Sequence, residues 1–180
     1  MAEEILFEKT PQYAVVSALR EKGLTLATAE SCTGGLIGKK ITDIAGCSSV
    51  YMGGAIAYDN RVKEKLLNVG EQTLKQYGAV SEQTALEMCK AIAEAVGADI
   101  GLSTTGIAGP GGGTEEKPVG LVYIGIYFKN PQTGETKHKA IKLNLAHRIG
   151  PHGRGMVRYM AASRALREVL ALFKNEEEKT

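Results

Sequence analysis

The chain has 180 residues, of which 43% are apolar and 23% charged, and its net charge is +2 at pH 7. Such a composition belongs to one globular domain large enough to bury a core; it excludes a disordered or collagen-like chain, and the charge demands no polyanionic partner. No apolar run approaches the roughly 18 residues that span a bilayer, the acidic start M-A-E-E-I-L-F is unlike a signal peptide, and the cysteines Cys32, Cys47 and Cys89 lack the spacing of a zinc site or a disulfide framework. No membrane association is expected, and the expected location is the cytoplasm.

Thr10-Pro11 opens a helix with Val15, Val16 and Leu19 on its apolar face, and Gly23 ends it. The run from Leu24 to Thr28 is apolar and β-branched and reads as a short buried strand. Behind it, Ser31, Cys32 and Thr33 precede two glycines and then Leu36, Ile37 and Ile41 at helical spacing, which predicts a helix from about Thr33 to Asp43. A hydroxyl or thiol therefore sits where strand turns into helix. Such a junction projects a short side chain beyond the carboxyl edge of the sheet, where free N–H groups and the helix dipole attract developing negative charge. Two readings fit this segment: a nucleophile beside an oxyanion site, or an N-cap at Ser31 or Thr33 and nothing more.

Ser49 to Tyr58 reads as the next strand, its Gly53-Gly54 pair marking a bulge or a close backbone approach. Asp59-Asn60 caps a helix with Val62, Leu66 and Leu67 inward, and Glu71 to Tyr77 is a short helix ended by Gly78. Ser81 caps an amphipathic helix that carries Ala85, Met88, Cys89 and Ile92 and stops at Gly97. Asp99 to Thr105 is the third strand and leads into G-I-A-G-P-G-G-G-T-E-E-K-P-V-G, residues 106–120. A strand from Leu121 to Phe128 follows at once, so this run is a loop over the sheet's edge rather than a linker. It has neither the Gly-Lys-Ser/Thr ending of a P-loop nor G-x-G-x-x-G spacing. It offers backbone that can approach a ligand closely, with Thr104, Thr105 and Lys117 available to an anion; the alternative is a plain flexible lid.

K-N-P-Q-T-G-E marks a hairpin, which places a fifth strand, about Thr136 to Leu145, antiparallel to the fourth. The last helix runs from about Gly153 to Phe173, ahead of a solvated acidic tail at 175–180. This alternation predicts a three-layer α/β/α sandwich on a mixed, mostly parallel five-stranded sheet with one antiparallel hairpin, in one domain over residues 1–174. His138, His147 and His152 lie at no metal-ligand spacing, and no metal is expected. Among Arg148, Arg154 and Arg158, the last two are four apart at a helix start, where the dipole disfavours cations. A phosphate or a carboxylate of the protein would compensate them; a solvated pair is the other reading.

The segments T-A-E-S-C-T-G-G (28–35), G-G-A-I-A-Y-D-N-R-V-K (53–63), G-A-V-S-E (78–82) and the glycine-rich run 106–120 closely resemble the CinA carboxy-terminal domain family, over about Ala14 to Leu172. The resemblance implies deamidation of nicotinamide mononucleotide to nicotinic acid mononucleotide plus ammonia. It implies Ser31 as nucleophile, assisted by Lys63 and Tyr58, with no metal or cofactor, in a homodimer acting on a small nucleotide. The substrate-binding set expected with it is Glu30, Thr33, Gly34, Asn60, Thr105 and Gly106, then Gly109, Gly111, Gly112 and Lys117 in the loop, and Arg154 and Arg158 on the last helix. Many relatives read Y-S-N where this chain has Tyr58-Asp59-Asn60, and G-D-R where it has His152-Gly153-Arg154, a change that removes an acid beside the arginine.

Amide hydrolysis needs a base for the nucleophile's proton, and Lys63 falls in the first turn of a helix, where the dipole and burial would both lower its pKa. Otherwise it is a solvated helix lysine like Lys65. Two rival readings of the chain are a nucleotide-binding sensor without turnover and a nucleic-acid-binding module on the basic stretch Lys137 to Arg158. The second lacks stacking aromatics and any recognised motif, and no nucleic-acid partner is expected.

Overall fold

A computed structural model of the chain describes residues 10–146 and 153–177. The chain runs α1 (Pro11–Lys22), β1 (Leu26–Glu30), α2 (Leu36–Thr42), a 3-10 turn (Cys47–Ser49), β2 (Tyr51–Ile56) and α3 (Asn60–Leu67). It continues through α4 (Glu71–Tyr77), α5 (Glu82–Val96), β3 (Ile100–Gly106), β4 (Leu121–Lys129), β5 (Thr136–Asn144) and α6 (Gly153–Glu177). The strands form one sheet in the order β2-β1-β3-β4-β5. β1 pairs in parallel with β2 and β3, while β4 is antiparallel to both β3 and β5, so only β4 opposes the common direction. The sheet is mixed and mostly parallel, as the alternation of elements requires.

One face is covered by α1, α2 and α6, which bring Leu19, Ile37, Ile41, Leu166 and Val169 onto the sheet. The opposite face carries α5 with α3, through Met88, Ile92 and Leu67. Strand β1, paired on both sides and covered on both faces, is buried at every position, the polar Thr28 and Glu30 included. Helix α5 lies directly on the strands: a Cβ at Gly101 or Gly125 would collide with the carbonyl oxygens of Cys89 or Ala85.

Several boundaries differ from the sequence reading, each for a local reason. Strand β1 starts at Leu26 rather than Leu24, because the Asp99 carboxylate accepts hydrogen bonds from the Thr25 N–H at 2.8 Å and its hydroxyl at 2.7 Å. The start of β1 is thereby pinned beside that of β3. This shift makes Glu30 the last strand residue and leaves Ser31 just beyond the sheet's carboxyl edge. Strand β2 is shorter than the expected Ser49–Tyr58, and its pairing to β1 skips a residue between Tyr51 and Gly53. Gly53, at φ 133°, provides the irregularity that the glycine pair foretold. Helix α2 begins at Leu36, not Thr33, behind Gly35 at φ 88°. Helix α6 reaches Glu177, into the stretch read as a tail. His147, Arg148 and His152 lie outside the described residues.

Candidate active site

Glu30, at the end of β1, is 2% exposed, and its carboxylate accepts from the N–H groups of Ile37 at 3.0 Å and Gly38 at 2.8 Å. The α2 N-terminus has no other side-chain cap, so Glu30 does what Ser31 or Thr33 was expected to do. Two expectations are corrected by this. The reading of Ser31 or Thr33 as the cap falls, and the helix terminus is no free oxyanion site, because the protein's own carboxylate already answers it. Glu30, expected among the substrate-binding residues, is turned beneath the loop as its support. Glu30→Ala would strand two buried donors and is expected to cost about 1–3 kcal/mol, read as a lower urea midpoint at unchanged slope.

The loop after Glu30 is held by its neighbours. The Ser31 N–H donates to the Thr104 carbonyl at 2.9 Å, and the Thr33 and Thr104 hydroxyls meet at 2.7 Å. Arg158 donates to the Thr33 carbonyl from Nε at 3.2 Å and from Nη2 at 2.8 Å. Gly34 makes room for it, since a Cβ there would lie 3.2 Å from Arg158 Nη2 at a backbone φ of +59°. Among the described residues, the Ser31 hydroxyl and the Thr33 N–H have no hydrogen-bond partner, and the Cys32 N–H meets only its own thiol.

Asp59 caps α3 by accepting from the Arg61 N–H at 2.8 Å, which places Lys63 in the first helical turn. Its side chain runs inward rather than into solvent. Lys63 is 1% exposed, and its Nζ donates to the carbonyls of Ala57 at 2.8 Å and Tyr58 at 3.1 Å. No carboxylate of the described residues lies within ion-pair distance of it. Burial pulls the Lys63 pKa below its ordinary value, opposed in part by Asp59 and Cys32. The solvated-lysine reading is therefore set aside.

Ser31, Cys32, Tyr58, Asn60, Lys63 and Thr105 line one cavity of about 180 Å³, with Gly106 and Ala108 beside them. Ala79 and Val80 complete the wall, and the Ala79 carbonyl accepts the Thr105 hydroxyl at 2.6 Å. Sequence reasoning gave these two residues no role, although the G-A-V-S-E motif contains them and was the signal. Burial pushes the Cys32 thiol up to about 12, so a thiolate is strongly disfavoured there.

Tyr58 lines the cavity, but its hydroxyl accepts from Arg154 Nη2 at 2.7 Å rather than meeting Lys63. Arg154 Nη1 donates to the Gly109 carbonyl at 2.7 Å, tying α6 to the glycine-rich loop. Both arginines thus rest on neutral acceptors, and no carboxylate among the described residues pairs with either. Lys117, expected to meet an anion, instead donates to the Tyr77 carbonyl at 2.6 Å, and Gly111 and Gly112 are exposed and do not line the cavity.

Fold and site together define an α/β/α sandwich protein in which a serine and a buried lysine share a cavity beyond the carboxyl ends of the central parallel strands. The chain belongs to the CinA C-terminal domain family, whose model matches residues 8–172. A CinA-like protein from Kosmotoga olearia is 55% identical over 136 residues, which cover 76% of this chain and 32% of that protein. The chain spans about a third of the length of the curated relatives it matches. Among solved structures, the competence/damage inducible protein CihA from Agrobacterium tumefaciens is 40% identical with a TM-score of 0.80, covering 90% of this chain and 93% of that one. A CinA superfamily protein from Escherichia coli is 30% identical with a TM-score of 0.78, covering 90% of this chain and 88% of that one.

Proposed function

We propose that the protein is an amidohydrolase that deamidates nicotinamide mononucleotide to nicotinic acid mononucleotide, using Ser31 as nucleophile and Lys63 as base. The observation that carries this reading is the burial of Lys63, an amine with only carbonyl partners, in the cavity that holds the unpartnered Ser31 hydroxyl. Burial without a carboxylate partner lowers the Lys63 pKa, which favours the neutral amine that can take a proton. Ser31 Oγ attacks the amide carbon as its proton passes to Lys63, the N–H groups of Cys32 and Thr33 receive the developing oxyanion, and Lys63 returns the proton to the departing ammonia. Water then hydrolyses the acyl-serine ester to the carboxylate.

Arg154 and Arg158 support an anionic substrate, because two cations near a helix start that meet only neutral acceptors leave their charge to a ligand. The phosphate of the mononucleotide supplies it. The dephosphorylated nucleoside should then show kcat/KM lower by roughly 10²-fold or more, since charge-assisted contacts are lost. Equal turnover of nucleoside and nucleotide would rule out this use of the arginines. Tyr58 acts here by holding Arg154 through its hydroxyl and Lys63 through its carbonyl, which makes it a positioning residue.

A further inference from the structure

Thr104, near the carboxyl end of β3, takes no part in the chemistry above. Strand alternation turns it away from the cavity that Thr105 lines. The sequence offers its hydroxyl to an anion, but the structure buries it: Thr104 and Thr33 are both 0% exposed, and their hydroxyls meet each other at 2.7 Å. Neither hydroxyl faces a ligand, so the pair has another task.

Thr104 is paired in register with Glu30, the last residue of β1. Its carbonyl accepts the Ser31 N–H at 2.9 Å, which extends the ladder one residue past the strand and anchors the backbone of the nucleophile itself. Its hydroxyl reaches Thr33, two positions further on. One residue of β3 therefore grips the loop on both sides of Cys32, once through main chain and once through side chain. Arg158 holds the same loop from α6, but only at the Thr33 carbonyl.

Residues 31–35 lie between β1 and α2 in neither strand nor helix, and Gly34 and Gly35 close the segment at φ 59° and 88°. Glycines give a backbone many conformations, whereas a catalytic group must be held to within about 0.5 Å of its productive place. Threonine suits the holding, because its χ1 is stiff and a hydrogen bond in a dry interior is strengthened. We propose that Thr104 is a positioning residue whose hydroxyl, through Thr33, keeps Ser31 Oγ within reach of Lys63. The inference rests on the reading of Ser31 and Lys63 as nucleophile and base, and on no particular amide.

The test follows two rates in the full chain: ammonia release from nicotinamide mononucleotide, and labelling by a fluorophosphonate, in which Ser31 Oγ displaces fluoride from phosphorus and mass spectrometry locates the adduct. Thr104→Val keeps the shape of the side chain and deletes the hydroxyl. Its kcat and its labelling rate should each fall about tenfold or more, with KM changed by less than about twofold because no substrate contact is lost. Thr104→Ser, which keeps the hydroxyl, should return both rates to within about threefold of wild type. In Thr33→Val with Thr104→Val no hydroxyl is left buried without a partner, so the thermal midpoint should recover while both rates stay low. Rates that recover along with the midpoint in the double variant would make the pair a packing feature and overturn the proposal. So would wild-type labelling in Thr104→Val, no rescue by Thr104→Ser, or a wild-type chain whose Ser31 takes no label. Labelling that follows this pattern in a chain releasing no ammonia would remove the deamidase reading and leave the positioning role standing.

Discussion

Ser31→Ala is expected to remove ammonia release, with a loss on the order of 10⁴-fold or more, while Cys32→Ala keeps most of the rate. The two side chains are adjacent and both line the cavity, so position does not separate them; chemistry does. A thiol attacks as thiolate, and burial holds the Cys32 thiol near 12, which leaves almost none ionised at neutral pH. The Ser31 hydroxyl needs no prior ionisation if a base takes its proton during attack. Thiol alkylating reagents should likewise fail to inactivate, because Cys32 is only 4% exposed. If Cys32→Ala were dead and Ser31→Ala active, the nucleophile would have to be reassigned.

Lys63→Met and Lys63→Arg are both expected to lower the rate by roughly 10² to 10⁴, the usual worth of a positioned base. Methionine keeps much of the bulk without the amine, and arginine keeps the charge but cannot deprotonate. A loss in both separates base catalysis from a fixed-charge role, which arginine would rescue. The pH dependence has a defined sign. Only the neutral amine accepts a proton, so kcat/KM falls as pH drops through the Lys63 pKa, and burial sets that limb below the ordinary lysine value of 10.5. In Lys63→Met the limb should vanish from the residual rate. The same shift makes the buried ammonium a cost to folding that is fully present below the lowered pKa and relieved as pH rises toward 10.5, because the unfolded chain then binds the extra proton.

Much of this site was legible in the sequence because its parts lie next to element boundaries that obey local rules. The run of small and apolar residues into Ser31, the Asp59 cap that fixes the turn holding Lys63, and the Ser81 cap of α5 each follow from short-range chemistry. What was not legible depends on partners far along the chain. Glu30 reads as one more polar residue near a nucleophile until α2 folds back over it, and Lys117 reads as an anion ligand until α4 ends beside it. The start of β1 could not be placed without Asp99, 74 residues away, and the pairing of Tyr58 with Arg154 spans 96 positions. Periodicity and capping carry no information at those distances, whereas the motif resemblance gathered Ser31, Tyr58 and Lys63 into one set before any geometry.

The most direct test is to incubate the purified protein with nicotinamide mononucleotide and to measure ammonia and nicotinic acid mononucleotide together. Equimolar release of the two, lost in Ser31→Ala and in Lys63→Met while both variants remain folded, is the predicted result. Protection of the wild-type chain from thermal unfolding by the mononucleotide with no ammonia released would contradict it, and would make the cavity a nucleotide-binding site without turnover.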